Sequence, residues 1–105
     1  RAAVETLFSR FDALVLPATQ VWPFAVEEDW PREIAGQAMD TYHRWMEVML
    51  PASLAGLPAV ALPAGTGPGG LPGAVQLVGA WGSDATVLAM ARAWEETVGP
   101  RPVRP

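Results

Sequence analysis

The sequence predicts an α/β fold, a mixed sheet with helices packed on it, in one domain over residues 1–105. Three observations predict it. Short continuous apolar runs bounded by Pro and Gly recur at residues 13–16, 58–63 and 73–78, the pattern of strands buried beneath helices. Stretches with apolar residues at helical spacing surround those runs. The resulting order is helix, strand, long loop, helix, strand, strand, helix, with no internal repeat.

Each element has its own warrant. In residues 1–10 Val4, Leu7 and Phe8, continued by Phe11, form one amphipathic stripe. No N-cap residue precedes it and the first residue is Arg, so the chain is expected to be cut inside a longer one. Residues 13–16, closed by Pro17, read as a strand buried on both faces. Residues 18–30 form a loop long enough to be functional. Asp29 is a plausible N-cap with Pro31 in the first turn. From there to Leu50 the spacing of Ile34, Ala38, Tyr42, Trp45 and Met49, widened by Met39, Met46 and Leu50, predicts a helix that Pro51 stops. Residues 52–56 are a turn or a single helical turn. In the strand 73–78, Val75 and Leu77 face one way and Ala74, Gln76 and Val78 the other. Ser83 or Asp84 caps a last helix whose buried stripe is Val87, Ala91, Trp94 and Val98, with Leu88 and Met90 beside it. Gly99-Pro100 stops that helix, and a frayed tail is expected over 100–105.

Composition narrows the function. A chain of this length buries one core, roughly 60–70% of its unfolded surface. Half of its residues are hydrophobic and its mean hydropathy is +0.18, so part of the apolar surface is expected to meet a partner. A net charge of −4 without a basic patch argues against nucleic acid. No apolar run is long enough for a membrane span and no secretory signal is visible, so a cytoplasmic location is expected. There is no Cys, hence no disulfide and no thiol nucleophile. All seven basic residues are Arg; the chain has no Lys.

Each candidate site competes with a plain structural role. Gly65, Gly67 and Gly70 satisfy G-x-G-x-x-G after a strand, but a phosphate cradle needs a helix to follow, and here a strand follows. His43, the only histidine, reads as a solvated helix position, and one His without Cys does not close a zinc shell. Ser83 is explained by capping. Ser53 sits in a turn without a base in view. Glu27, Glu28 and Asp29 read as a solvated loop face, and Glu95 and Glu96 as solvent-facing. Trp22 and Phe24, with Thr19, lie just past the C-terminal end of a strand, where open α/β sheets bind ligands. They are the candidate pocket wall.

The run DALVLPAT at 12–19, the block PASLAGLPAVALPAG at 51–65, the segment GLPGAVQLVG at 70–79 and a helix carrying Glu95 together resemble the C-terminal part of an amidase signature family hydrolase, in order and in spacing. Two departures are Ser53, where the family often has Asn, and Gly73, where it often has Val. The resemblance implies an α/β/α fold around a large mixed sheet and cleavage of carboxamide C–N bonds. It also implies a Ser nucleophile, a bridging Ser and a Lys base, all in parts of the family sequence with no counterpart here. The residue count agrees, because a Ser-Ser-Lys relay needs an amine able to accept a proton and Arg stays protonated. No catalytic residue, metal ligand or cofactor is therefore assigned, and the chain alone is expected to be inactive. The expected partner is a missing N-terminal amidase segment or a second copy of the chain. The alternatives are a non-catalytic assembly module derived from an amidase, and part of a glutamyl-tRNA amidotransferase-type subunit.

Overall fold

A computed structural model describes residues 1–98. The expected helix stop at Gly99-Pro100 and the frayed tail lie outside the described residues. The sheet is built from three of the expected runs. Strand β1 is Leu14–Pro17, β4 is Ala59–Thr66 and β5 is Pro72–Val78, in the order β1-β5-β4. Both ladders are antiparallel: Leu14 pairs with Val78 and Pro17 with Val75, while Val60 pairs with Leu77 and Leu62 with Val75. The parallel pairing that a mixed sheet also needs is not among the described residues. Prolines sit where a ladder tolerates a missing N–H: Pro17 and Pro63 in edge strands, and Pro72 as the first residue of the central one.

The 59–66 and 72–78 strands form a hairpin. Gly67 N–H donates to Leu71 O at 2.8 Å and Gly70 N–H to Gly67 O at 3.0 Å, so the glycine-rich loop closes on itself. Only a three-residue 3-10 turn, Pro68–Gly70, lies between the strands. No helix follows the glycines, and the phosphate reading ends there. Near the loop the register shifts between Pro63 and Thr66, with Gly65 at φ 96°. The bulge bends β4 beside the loop that follows β1.

Helices cover both faces of the sheet in part. On one face Leu62 and Leu77 bury against Ala91 of α3 (Asp84–Val98), with Val60, Val75, Met90 and Trp94 around them. Trp94 Nε1–H also donates to Pro63 O at 2.8 Å, tying α3 to β4. Ser83 takes the N-cap position, its carbonyl accepting from Val87 N–H, but its hydroxyl donates to Ala80 O at 2.7 Å rather than capping the helix. On the opposite face α1 (Ala2–Phe8) and α2 (Leu50–Ala55) lie over Leu14, Leu16 and Val78, leaving a cavity of about 250 Å³.

Three expectations are corrected. The helix over 31–50 does not form. Its first part is a two-residue hairpin, β2 (Glu33–Ile34) and β3 (Gln37–Ala38), turned by Ala35 and Gly36, both at positive φ as a type I′ turn requires. A 3-10 segment, Arg44–Met49, follows and runs into α2, so Pro51 opens a helix instead of stopping one, and Asp29 caps nothing. The physical cause is competition for backbone groups. Val48 N–H and the carbonyls of Arg44 and Val48 bond to glutamine side chains rather than along a helix. Second, β1 is an edge strand with Val15 51% exposed, not a strand buried on both faces. Third, Leu88 and Val98 of α3 are exposed, so its buried stripe stops at Trp94.

The chain is flat and open. Its extents are 41 × 35 × 18 Å and its radius of gyration is 15.5 Å; a compact domain of this length has about 13 Å. It exposes 7614 Å², where a compact chain of this mass exposes about 5,700 Å². Leu54 and Leu88 are 83% and 64% exposed. Among the described residues no helix is long and apolar enough to cross a membrane.

Candidate functional site

The loop leaving β1 at Pro17 turns back over the β4–β5 hairpin and encloses a cavity of about 590 Å³. Thr19, Trp22 and Phe24, the three residues singled out in the sequence, all line it. Trp45, Pro72 and Gly73 complete much of the wall. Trp45 was expected on a helix stripe; the collapse of that helix into a 3-10 segment brings its ring edge-on to Phe24, centroids 5.7 Å apart. Tyr42 extends the aromatic group, edge-on to both Trp45 and Trp30, and Arg32 lies over Trp30 at 3.8 Å.

Two glutamines hold this wall in place. Gln20 accepts from Val48 N–H at 2.8 Å through Oε1 and donates to Arg44 O at 3.3 Å through Nε2. Gln76, buried on central β5, donates through Nε2 to Pro17 O and to Val48 O, each at 3.0 Å. The end of β1, the loop and the 3-10 segment are thus clamped to one another and to the sheet. Thr19 Oγ1 donates to Val21 O at 2.6 Å and stiffens the loop itself. The sequence placed Gln76 on the correct strand face but did not reveal its role. A polar residue in an otherwise apolar strand was the available signal.

The other candidates lie elsewhere. His43 is exposed, flanking the 3-10 segment with its ring against Tyr42. Ser53 is exposed on α2, and Glu27, Glu28 and Asp29 are exposed on the loop. Glu96 pairs with Arg92 at 2.8 Å on the open face of α3. Among the described residues no three His, Asp or Glu side chains gather closely enough to hold a metal. The cavity wall contains no Ser, Lys, His or acid. It can hold an apolar group, and it has no nucleophile paired with a base.

Two half-buried indoles differ in a way that can be measured. Trp94 Nε1–H has an acceptor, whereas Trp45 Nε1 is buried without one among the described residues. Trp94→Phe loses a hydrogen bond and strands Pro63 O; Trp45→Phe removes a donor that had no partner. W94F is expected to cost about 1–2 kcal/mol more than W45F in urea unfolding. Equal losses would show that the Trp94 bond contributes nothing net.

A family model described as Amidase matches residues 1–88. A Synechocystis sp. protein named "Putative amidase" is 37% identical over 87 residues, covering 83% of this chain and 17% of its own. The glutamyl-tRNA(Gln) amidotransferase A subunit of Rubrobacter xylanophilus is 39% identical over 94 residues, covering 90% of this chain and 18% of its own. Its Thermus thermophilus counterpart of the same name is 37% identical over 98 residues, covering 91% and 19%. The chain thus spans under a fifth of the length of these curated relatives. No solved structure matches it.

Proposed function

The chain belongs to the amidase family, and from that premise we propose that it forms one wall of the substrate pocket of an enzyme that hydrolyses a carboxamide C–N bond. The observation that carries this reading is the cavity at the end of β1, built by Thr19, Trp22 and Phe24 and lacking any nucleophile–base pair. Binding belongs to this chain and the chemistry to residues outside it. A serine hydroxyl attacks the amide carbonyl and a lysine amine takes its proton. The amine or ammonia leaves with a proton, and water then releases the acid from the acyl-serine. With no lysine in these 105 residues, that base comes from another segment. The excess exposed surface, on the order of a protein–protein interface, supports a covering N-terminal amidase segment. A cytoplasmic location is part of the same proposal.

The test is ammonia release from simple carboxamides. The chain alone is expected to release none. The chain joined to an amidase segment carrying the two serines and the lysine is expected to release ammonia, and to stop when that lysine becomes Ala. The proposal is falsified if the chain alone turns over amides and loses that activity on mutation of Ser53 or Ser83, or if the joined protein is inert to all amides tried.

A second reading, part of a glutamyl-tRNA amidotransferase-type subunit, is favoured by the names of several relatives. A third, assembly of the chain with itself, is favoured by the open edges of β1 and β4. Sedimentation of the purified chain separates the third from the first: a monomer across micromolar concentrations argues against self-assembly.

A further inference from the structure

We infer that the cavity beside Trp22 selects amides bearing an uncharged, ring-containing group, and that Gly67 and Gly73 determine this specificity by seating the Trp22 ring. The inference rests on the amide-pocket reading above and adds which amides the pocket takes. A Cβ built on Gly73 would stand 2.8 Å from Trp22 Cζ3 and 3.1 Å from Cη2, and one on Gly67 would come closer still to the same ring edge. Cβ atoms essentially never approach other atoms within 3.0 Å, so neither position accepts even alanine unless the indole moves. Backbone geometry does not demand glycine at either place. Gly67 has φ −103°, and Gly73 is not among the residues with positive φ. The missing side chains make room for the ring.

The seated indole remains about half exposed, at 48%. Phe24 and Trp45, edge to face, share the wall with it. The hydroxyl and the amide of that wall are already engaged, Thr19 Oγ1 with Val21 O and both ends of the Gln20 amide with the 3-10 segment, and the Trp45 indole N–H, without an acceptor among the described residues, is itself buried. No ionisable side chain lines the cavity. A charged group entering it would lose hydration and meet no counter-charge. A flat uncharged ring would bury apolar area and stack or meet ring edges. The volume, about 590 Å³, lies within the range of small-ligand pockets.

The experiment is a 15N–1H titration of the 105-residue chain with benzamide, acetamide and L-glutamine. Benzamide is expected to shift the indole resonances of Trp22 and Trp45 and the amides of Gly67 and Gly73, saturating in the millimolar range. Acetamide and L-glutamine at equal concentrations are expected to leave them in place. Gly73→Ala and Trp22→Ala are each expected to weaken benzamide at least about tenfold, equivalent to about 1.4 kcal/mol. If Gly73→Ala loses its dispersed spectrum, Trp22→Ala alone decides. Benzamide binding unchanged in Trp22→Ala, or acetamide or L-glutamine binding as tightly as benzamide, overturns the inference. Ammonia release by the joined protein separates this result from the function itself. Hydrolysis of acetamide without benzamide binding sinks the inference and leaves the amidase reading standing. Benzamide binding by a joined protein inert to every amide sinks the amidase reading and leaves the ring selectivity of the cavity standing.

Discussion

Replacing Gln76 with leucine is expected to destabilise the fold by about 1–3 kcal/mol, although leucine is close in size and suits a strand. Gln76 is buried, and its amide is the donor that both Pro17 O and Val48 O accept. Leucine would leave the carbonyls of exposed Pro17 and half-buried Val48 without that donor, and each hydrogen bond lost contributes about 0.5–1.5 kcal/mol. The loss is not confined to one contact. The clamp joins the last residue of β1 to the 3-10 segment, and between them they carry the walls of the cavity. Urea unfolding gives the global cost. Amide exchange at Val48, whose N–H donates to Gln20, reads the local one and is expected to accelerate at least about tenfold if the segment opens by about 1.4 kcal/mol. A cost below about 0.5 kcal/mol, the least a typical hydrogen bond contributes, would show that the carbonyls find other donors and that the clamp is not what holds the wall.

Gly79→Ala is expected to cost about 1–3 kcal/mol, as overpacking of a tight site does. Gly79 follows β5, is buried, and donates its N–H to Pro58 O at 3.0 Å. A Cβ there would run into Val87 Cγ2 and Ser83 Oγ together. Val87, in the first turn of α3, is buried, and Ser83 holds the N-cap position with its hydroxyl bonded to Ala80 O. Neither atom ends a long flexible side chain, so relief requires α3 to move off the sheet. Gly82, at φ 76° with open space around its Cβ position, is the contrast: alanine there is strained by the backbone alone, at about 1 kcal/mol. A thermal melt of G79A matching G82A would refute the close-packing account.

Several features were legible because their causes are local. The two strands within 59–78 follow from two apolar runs separated by a Pro/Gly loop, though only the structure shows them paired as a hairpin, and α3 follows from spacing that places Val87 and Ala91 on one face. Trp22 and Phe24 lie on a long loop just past the C-terminal end of a strand, where open α/β sheets bind ligands, and they line the cavity. Residues 31–50 depart from the helix their spacing predicts for a physical reason. Their apolar spacing fits a helix, but spacing does not report where backbone groups find partners. Ala35-Gly36 turns a short hairpin, and the bonds of Arg44 and Val48 go to Gln20 and Gln76. Trp45 joined the pocket as a consequence.

By itself the sequence determined the family blocks, the strand-forming runs and a chemical exclusion: without Lys or Cys, no arrangement of these residues yields a Ser-Ser-Lys relay or a thiol nucleophile. These are properties of residue type and short-range order. Only the tertiary structure decided that β5 is central, that Gln76 reaches Pro17 across 59 residues, and that Gly67 and Gly73 are small for the sake of Trp22. Hydrogen-bond satisfaction and steric room depend on neighbours distant in the chain, and those neighbours exist only once the sheet has formed.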